Sequence, residues 1–377
     1  MNLIKIQAIS RKEYYHLIRD FRSLYLAFII PLLLIFLFGY ALSLDVDNIQ
    51  VVVVDHDHTD LSRDLIQKLG ASSYFHVIGQ VADDRMASRY LDDGMASVAI
   101  ILASGWTANI RADRESQVQI LIDGSDPNFA GITRSYLTAF MLRYNQNQLL
   151  GFLNRQGMEP IHPPVEGRIR VWFNEDLESR NFIVPGIIAI IIMIVGAMLT
   201  SLVVAREYEN GTMETIRSLP VPAAEFLIGK AIPYFIIGLI DVLVSILMGQ
   251  LLFGVVMKSS FWLMILASSL YLGVALSLGL LISSVTKSQL VANQIAVLIT
   301  YLPSLLLSNF VFPVENMPGI LQLLTRIVPA TYFIDILNGL YLRNLGLSTL
   351  WPSYLILTIM CGALSVLNLI VLKREGL

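Results

Sequence analysis

Charges, a glycine and apolar residues are packed together in the short segment Arg206-Glu207-Tyr208-Glu209-Asn210-Gly211-Thr212-Met213-Glu214-Thr215-Ile216-Arg217. The chemistry such a segment offers is docking. Mixed charges at a helix end, a glycine able to turn sharply, and Met213, Ile216 and Leu219 as an apolar stripe could seat in a groove on a soluble partner. Taken alone, the segment also reads as a solvated connector with a helix cap at Thr212. Asp241, Asn293 and Gln294 interrupt apolar runs. A charge there costs ~2.5–3.5 kcal/mol in a membrane, so Asp241 is expected to face protein, water or a subunit interface. All three are candidates for a transport pathway, with polar contacts between helices as the alternative. No G-x-x-x-x-G-K-[ST] motif occurs, so the chain itself is not expected to hydrolyse ATP or bind a cofactor. His16, His56, His58, His76 and His162 all lie outside the long apolar runs, which also lack paired catalytic carboxylates. No catalytic residue is therefore assigned. Asp55-His56-Asp57-His58 offers metal-ligand types, but on an extended stretch neighbouring side chains point to opposite faces and do not converge on one ion.

The elements that must position these groups are membrane helices. The chain has 377 residues, of which 55% are hydrophobic and only 15% charged, too apolar for an ordinary soluble domain. Crossing ~30 Å of hydrocarbon takes ~20 apolar residues in a helix. Runs at 23–44, 181–205, 231–257, 259–286, 288–314 and 344–372 meet that need, which predicts six spans with both termini on one side. Lys5, Arg11, Lys12, Arg19, Arg22, Arg206, Arg217, Lys230, Lys287, Lys373 and Arg374 fall on that side, against Lys258, Arg326 and Arg343 on the other. This asymmetry places both termini in the cytoplasm. The first run exceeds the ~7–15 residues of a signal-peptide core and reads as an uncleaved anchor.

Residues 1–22 carry Ile6, Ile9, Tyr14, Leu17, Ile18 and Phe21 at helical spacing among basic residues, the pattern of an amphipathic helix lying in the membrane interface. Residues 45–178 read as an extracytoplasmic α/β domain. Strands are expected at 49–54, 76–80, 98–102 and 118–122, and helices at 61–69, capped by Thr59 or Asp60, at 85–92 and at about 128–153. A linker rich in Pro160, Pro163, Pro164 and Gly167 then returns to the membrane. Asp55 and Asp57, like Asp123 and Asp126, sit where a strand gives way to a helix, a place for helix capping and also for ligands in open sheets. With 19 acidic and 11 basic residues this domain has no nucleic-acid surface. The lone Cys361 lies in the last apolar run and excludes an intrachain disulfide.

Together these segments resemble the permease subunits of type-2 ABC exporters, in the branch with a large extracytoplasmic domain that includes multidrug-efflux permeases of Gram-negative bacteria. The likeness rests on Arg206-Glu-x-Glu-x-Gly-Thr212 with Gly229-Lys230 and Pro233, on Arg11-Lys12-Glu13 with Arg19-Asp20 and Pro31, on Asp55-x-Asp57 with Leu61-Ser-Arg63, on Asp123-Gly-Ser-Asp-Pro-Asn128, and on Phe312-Pro313 through Pro318 followed by Pro329-Ala330-x-Tyr332-Phe333. Asn309 and Leu219-Pro220 depart from the family pattern. The resemblance implies an interfacial elbow helix at residues 1–22, six transmembrane helices, and a membrane domain over 181–377 with a cytoplasmic coupling loop at 206–230. Re-entrant helices are implied at about 315–343, where Arg326, Asp335 and several glycines and prolines already argue against a clean span. It further implies that Arg206, Glu207, Glu209, Gly211, Thr212 and Glu214 contact an ABC ATPase, aided by Arg11, Lys12, Glu13, Arg19 and Asp20. ATP and Mg would be held by that separate ATPase. A second permease copy, identical or paralogous, would complete the exporter within membrane lipid, and a periplasmic adaptor with an outer-membrane channel could join it. The expected cargo is hydrophobic or amphipathic, drug-like or lipid-like. A membrane sensor or adaptor, with a ligand-binding outer domain signalling through the cytoplasmic loop, is the alternative.

Overall fold

The computed structural model describes residues 2–41, 48–112, 114–155, 173 and 178–376. The chain divides into two compact units, residues 44–170 and the remainder. The expected linker at 160–167 lies outside the described residues.

Residues 44–170 form the α/β unit: β1 (Ile49–Asp55), α3 (Asp60–Gly70), β2 (Phe75–Val81), α4 (Asp84–Asp92), β3 (Val98–Leu102), α5 (Trp106–Arg111), β4 (Val118–Ile122) and α6 (Pro127–Arg155). Helices α1 (Leu3–Arg19) and α2 (Phe21–Ala41) precede it in the chain. The sheet order is β2-β1-β3-β4, with β1 parallel to both neighbours and β4 antiparallel to β3. A central strand covered on both faces needs an unbroken apolar run, which is what Val51 to Val54 supply. Successive side chains point to opposite faces. Val51 and Val53 therefore meet Leu65 and Leu69 of α3 and Leu137 of α6, while Val52 and Val54 meet Ala87 of α4.

The acids at the strand ends are occupied by turns. Asp55 accepts from the Asp57 and His58 amides, both at 3.0 Å, and from the Ser62 hydroxyl at 2.7 Å. Thr59 caps α3 through the Ser62 amide. Asp57 accepts from the Thr59 hydroxyl at 2.7 Å and the Thr107 amide at 3.1 Å. Burial alone would raise the Asp57 carboxyl, but hydrogen bonds from Thr107 and Thr59 outweigh it and hold the group below the usual range. Asp123 and Asp126 likewise accept from the Ser125 and Phe129 amides. His56 turns away to Asp84, 2.8 Å distant, so the four residues Asp55 to His58 do not gather around one point.

The other unit contains α1 (Leu3–Arg19), α2 (Phe21–Ala41), α7 (Arg180–Glu209), α8 (Thr212–Ser218), α9 (Ala223–Phe253), α10 (Phe261–Thr286), α11 (Gln289–Leu306), a 3-10 turn at Val314–Asn316, α12 (Gly319–Thr325), α13 (Pro329–Tyr341) and α14 (Leu347–Arg374). Five of these, α7, α9, α10, α11 and α14, are long and apolar enough to cross a membrane. Helix α2 contributes the apolar stretch Phe28–Tyr40. Helix α7 is the core. The central part of this helix is 89% buried, so it carries apolar side chains all round, with α2, α9, α10, α11 and α13 against it. At its tightest contact Thr200 donates to the Leu276 carbonyl at 3.0 Å, and Gly279 of α10 faces Thr200 and the Ala197 carbonyl with no room for a side chain.

Two apolar runs are bounded differently from expectation. The run 288–314 is helical only to Leu306, because Asn309 takes a left-handed conformation, φ 65°, and its side chain accepts from the Val314 amide at 3.0 Å. Asparagine tolerates that region where other residues with a Cβ rarely do. The third run begins earlier, at Ala223, so that 206–209 finish α7 and 223–230 open α9. The break between long helices is thus confined to residues 210–222. Helices α12 and α13 meet at 76°.

Candidate functional site

Helix α1 buries Ile6, Glu13 and Leu17, a spacing that lays one stripe of the helix against α9. Close approach comes from Gly229. A Cβ there would lie 2.8 Å from Ile9 and 3.1 Å from the Ile6 carbonyl oxygen, so α1 rests on α9 backbone. One residue further on, Lys230 reaches Glu13 Oε1 at 2.6 Å and Glu207 Oε1 at 2.8 Å. Lys12 adds a third contact, to Glu207 at 2.9 Å, and the Tyr234 hydroxyl donates to Glu13 at 3.4 Å. The hydroxyl of Thr212 donates to the second Glu207 oxygen. Beside this group Arg206 pairs with Asp20 at 3.3 Å. Positive and negative charges balance, and every carboxylate oxygen of Glu13 and Glu207 has a donor, which is the condition under which buried ions are tolerated. Four helices, α1, α7, α8 and α9, are fastened at one point.

The N-terminus of α1 is secured to the same region. The Asn2 amide donates to Glu225 at 2.6 Å, and Lys5 donates to the Pro220 carbonyl. Gly211, at φ +70°, makes the reversal between α7 and α8 that a residue with a Cβ would adopt only with strain. Within α8, Met213 turns into the core and Ile216 is half-buried, so the expected outward apolar stripe is reduced to Leu219; Glu214, Thr215 and Ser218 are exposed. Arg217 holds the far end of α8 through the Tyr208 hydroxyl and Glu375, both at 3.2 Å, and Glu375 also takes Lys287 at 2.8 Å. Glu209 accepts from the Gln289 amide at 2.8 Å and so caps the start of α11.

Of the residues singled out in sequence, Arg206, Glu207, Thr212, Lys12, Glu13 and Asp20 are brought together, while Glu209 is spent on α11. Glu214, Arg11 and Arg19 point outward, with Arg11 lying 5.7 Å from the Tyr15 ring. Asp241 is buried elsewhere, eleven residues from Lys230 along α9 and hence roughly 16 Å away. Its Oδ1 and that of Asn293 have no hydrogen-bond partner among the described residues, and Gln294 is exposed. Lys230 and Arg217 lie in the expected coupling loop without being among its named contact residues, and Tyr234 and Glu375 lie outside it. The Gly229-Lys230 pair was the available signal: glycine for approach and lysine for charge.

Hydrogen bonds from Lys287 hold the Glu375 carboxyl below the usual range against the opposing effect of burial. A depressed carboxylate stabilises the fold above its unfolded value of ~4.3 and loses that contribution as pH falls through the lower folded value. Protection of α8 amides in hydrogen exchange is therefore expected to hold from neutral pH down to about 4 and to weaken below it. In Glu375→Gln the protection should already be lower at neutral pH; identical protection in both proteins would refute the clasp.

A buried charge cluster beneath a short helix, beside five helices long and apolar enough to cross a membrane, marks the chain as a membrane protein. The chain is a member of the ABC-2 transporter family: the model described as "ABC-2 family transporter protein" matches residues 21–370. It is 33% identical over 342 residues to the probable multidrug ABC transporter permease YbhS of Escherichia coli K12, covering 90% of this chain and 89% of that one. The probable multidrug ABC transporter permease YbhR of the same organism is 29% identical over 349 residues, 93% of each chain. The inner membrane transport permease YhhJ, also from Escherichia coli K12, is 25% identical over 338 residues, 86% of this chain and 85% of that one. The chain is accordingly a transport permease subunit, and its ATPase is a separate partner.

Proposed function

We propose that the chain is the transmembrane subunit of an ATP-driven exporter that moves hydrophobic or amphipathic molecules out of the cytoplasm or inner membrane. In this reading α2, α7, α9, α10, α11 and α14 are six spans, α1 is the interfacial elbow helix, the α12–α13 pair is re-entrant, and both termini are cytoplasmic. The α/β unit is then extracytoplasmic. Two permease copies, identical or paralogous, work with two ABC ATPase subunits that hold ATP and Mg, and a periplasmic adaptor with an outer-membrane channel is a further candidate partner. The observation that carries the reading is the Lys230–Glu13–Glu207 cluster under α8. A push on the exposed face of α8 cannot be absorbed locally, because α8 is tied by Thr212 to Glu207 and by Arg217 to Glu375. It is transmitted to α1, α7 and α9 as one body.

This arrangement decides which variants test coupling. Glu207→Ala breaks a buried cluster, and Gly211→Pro imposes φ near −65° on a residue at +70°, so both disturb the fold itself. Glu214→Arg with Leu219→Asp changes only exposed groups. In proteoliposomes containing the permease and its ATPase, that double variant is expected to insert normally and to lose transport roughly tenfold while basal ATP hydrolysis persists. Transport at the unsubstituted rate would sink the coupling role of α8.

A further inference from the structure

At the opposite end of α14 from Glu375, some 22 residues or roughly 33 Å away, the bent pair α12–α13 walls a polar crevice of about 530 Å³. Arg326, Asp335, Asn338 and Arg343 line it, with the hydroxyl-bearing Thr331 and Tyr332 between them. The hydroxyls are committed to the backbone: Tyr332 donates to the Arg326 carbonyl at 2.8 Å, and Thr331 to the Thr325 and Leu307 carbonyls at 3.1 and 3.2 Å. Asp335 is steadied by the Ser353 hydroxyl at 2.7 Å. What remains uncommitted is charge. Neither arginine has a carboxylate within ion-pair distance among the described residues, and the Arg343 guanidinium lies 6.0 Å from the Phe173 ring. Directly beside Arg326, α12 and the turn after it expose Ile320, Leu323 and Ile327, at 79%, 63% and 69%. Two guanidiniums, a carboxylate and an adjoining apolar ridge make a site with two chemical halves.

We propose that this crevice binds the headgroup of a glycerophospholipid, with Arg326 and Arg343 on the phosphate, Asp335 accepting from a primary ammonium, and the acyl chains along Ile320, Leu323 and Ile327. Guanidinium geometry suits phosphate oxygens. The apolar ridge favours a lipid over a free anion, because only a lipid brings acyl chains that pack on those side chains while its phosphate meets the arginines. An unpaired Asp335 beside the phosphate would repel a purely anionic head, so heads that also carry an ammonium are preferred. The sidedness of the site rests on the topology proposed above, but its existence does not, and the permease alone suffices to test it.

Purified permease would be held in nanodiscs of phosphatidylcholine with equal minor amounts of phosphatidylethanolamine and phosphatidylglycerol, and lipids retained after release would be read by native mass spectrometry. The unsubstituted protein is expected to retain phosphatidylethanolamine above its share. Arg326→Gln with Arg343→Gln should lower that retention roughly tenfold, from the loss of two charge contacts. The lysine pair Arg326→Lys with Arg343→Lys should keep most of it, and Asp335→Asn should abolish the preference over phosphatidylglycerol. All substituted groups are exposed, so a shared elution volume establishes that each variant is folded. Equal retention by the glutamine pair and the unsubstituted protein would overturn the site. An unchanged preference in Asp335→Asn would overturn the ammonium half, and displacement of the lipid by inorganic phosphate alone would overturn the lipid as occupant.

Discussion

Replacing Lys230 by methionine is expected to be among the most damaging single changes in the chain. Lys230 is 1% exposed, and its removal strands Glu13 and Glu207, at 3% and 6%, with Lys12 and hydroxyl donors as the remaining partners. Breaking one member of a buried ion group costs about 3–5 kcal/mol, because the surviving charges stay desolvated. The same reasoning predicts rescue. In Glu13→Gln, Glu207→Gln, Lys230→Met no buried charge is left over, and replacing a whole buried group is close to neutral. Lys12 should matter far less, since its side chain is 46% exposed and such a pair is worth ~1 kcal/mol at most. Thermal unfolding in detergent, followed by fluorescence-detected size exclusion, should place Lys12→Ala and the triple variant near the unsubstituted protein and Lys230→Met well below all three. A Lys230→Met protein as stable as the parent would mean that the cluster contributes nothing.

The second large effect is expected at Gly279→Leu. Where α10 crosses α7, a Cβ on this residue would run into Thr200 Oγ1 and the Ala197 carbonyl. Backbone cannot give way as a flexible side chain can, so the helices must part. Overpacking typically costs about 1–3 kcal/mol, and the upper end applies here because parting the helices also breaks the Thr200 bond to the Leu276 carbonyl and uncovers the buried centre of α7. Gly362→Ala is the matched comparison. It sits in α14, where an added methyl meets nothing within 4 Å beyond its own stretch of helix, and alanine is favoured over glycine in a helix by ~0.5–1 kcal/mol. Purified yield and melting temperature should fall sharply for Gly279→Leu and hold or rise for Gly362→Ala; equal behaviour would refute the close crossing.

Much of the fold is legible along the chain because its cause is local or periodic. The strands β3 and β4 fall where the apolar runs place them, and α3 begins at the Thr59 cap. Element ends were less legible. Leu306 ends α11 through the left-handed Asn309, and the first turns of α9 read as part of a loop because Glu225 and Lys230 look solvated in sequence. Burial of those charges comes from α1, whose residues are more than 200 positions away. The site divides in the same manner. The mixed charges at 206–217 are plain in sequence, yet which side chains face outward follows from tertiary contacts: Met213 turns inward, Glu209 onto α11, Arg217 onto Glu375.

By itself, then, the sequence determined a membrane-embedded chain with an inserted α/β unit and a charged segment between two long apolar helices, because hydropathy and periodicity are summed over neighbours. The tertiary structure decided that this segment is not a free docking loop. Its charges mostly find partners within the protein, in Lys230, Lys12, Asp20, Gln289 and Glu375, leaving Glu214, Thr215, Ser218 and Leu219 exposed. Pairing of charges depends on distance in space, and only packing of α1 against the Gly229 backbone sets that distance.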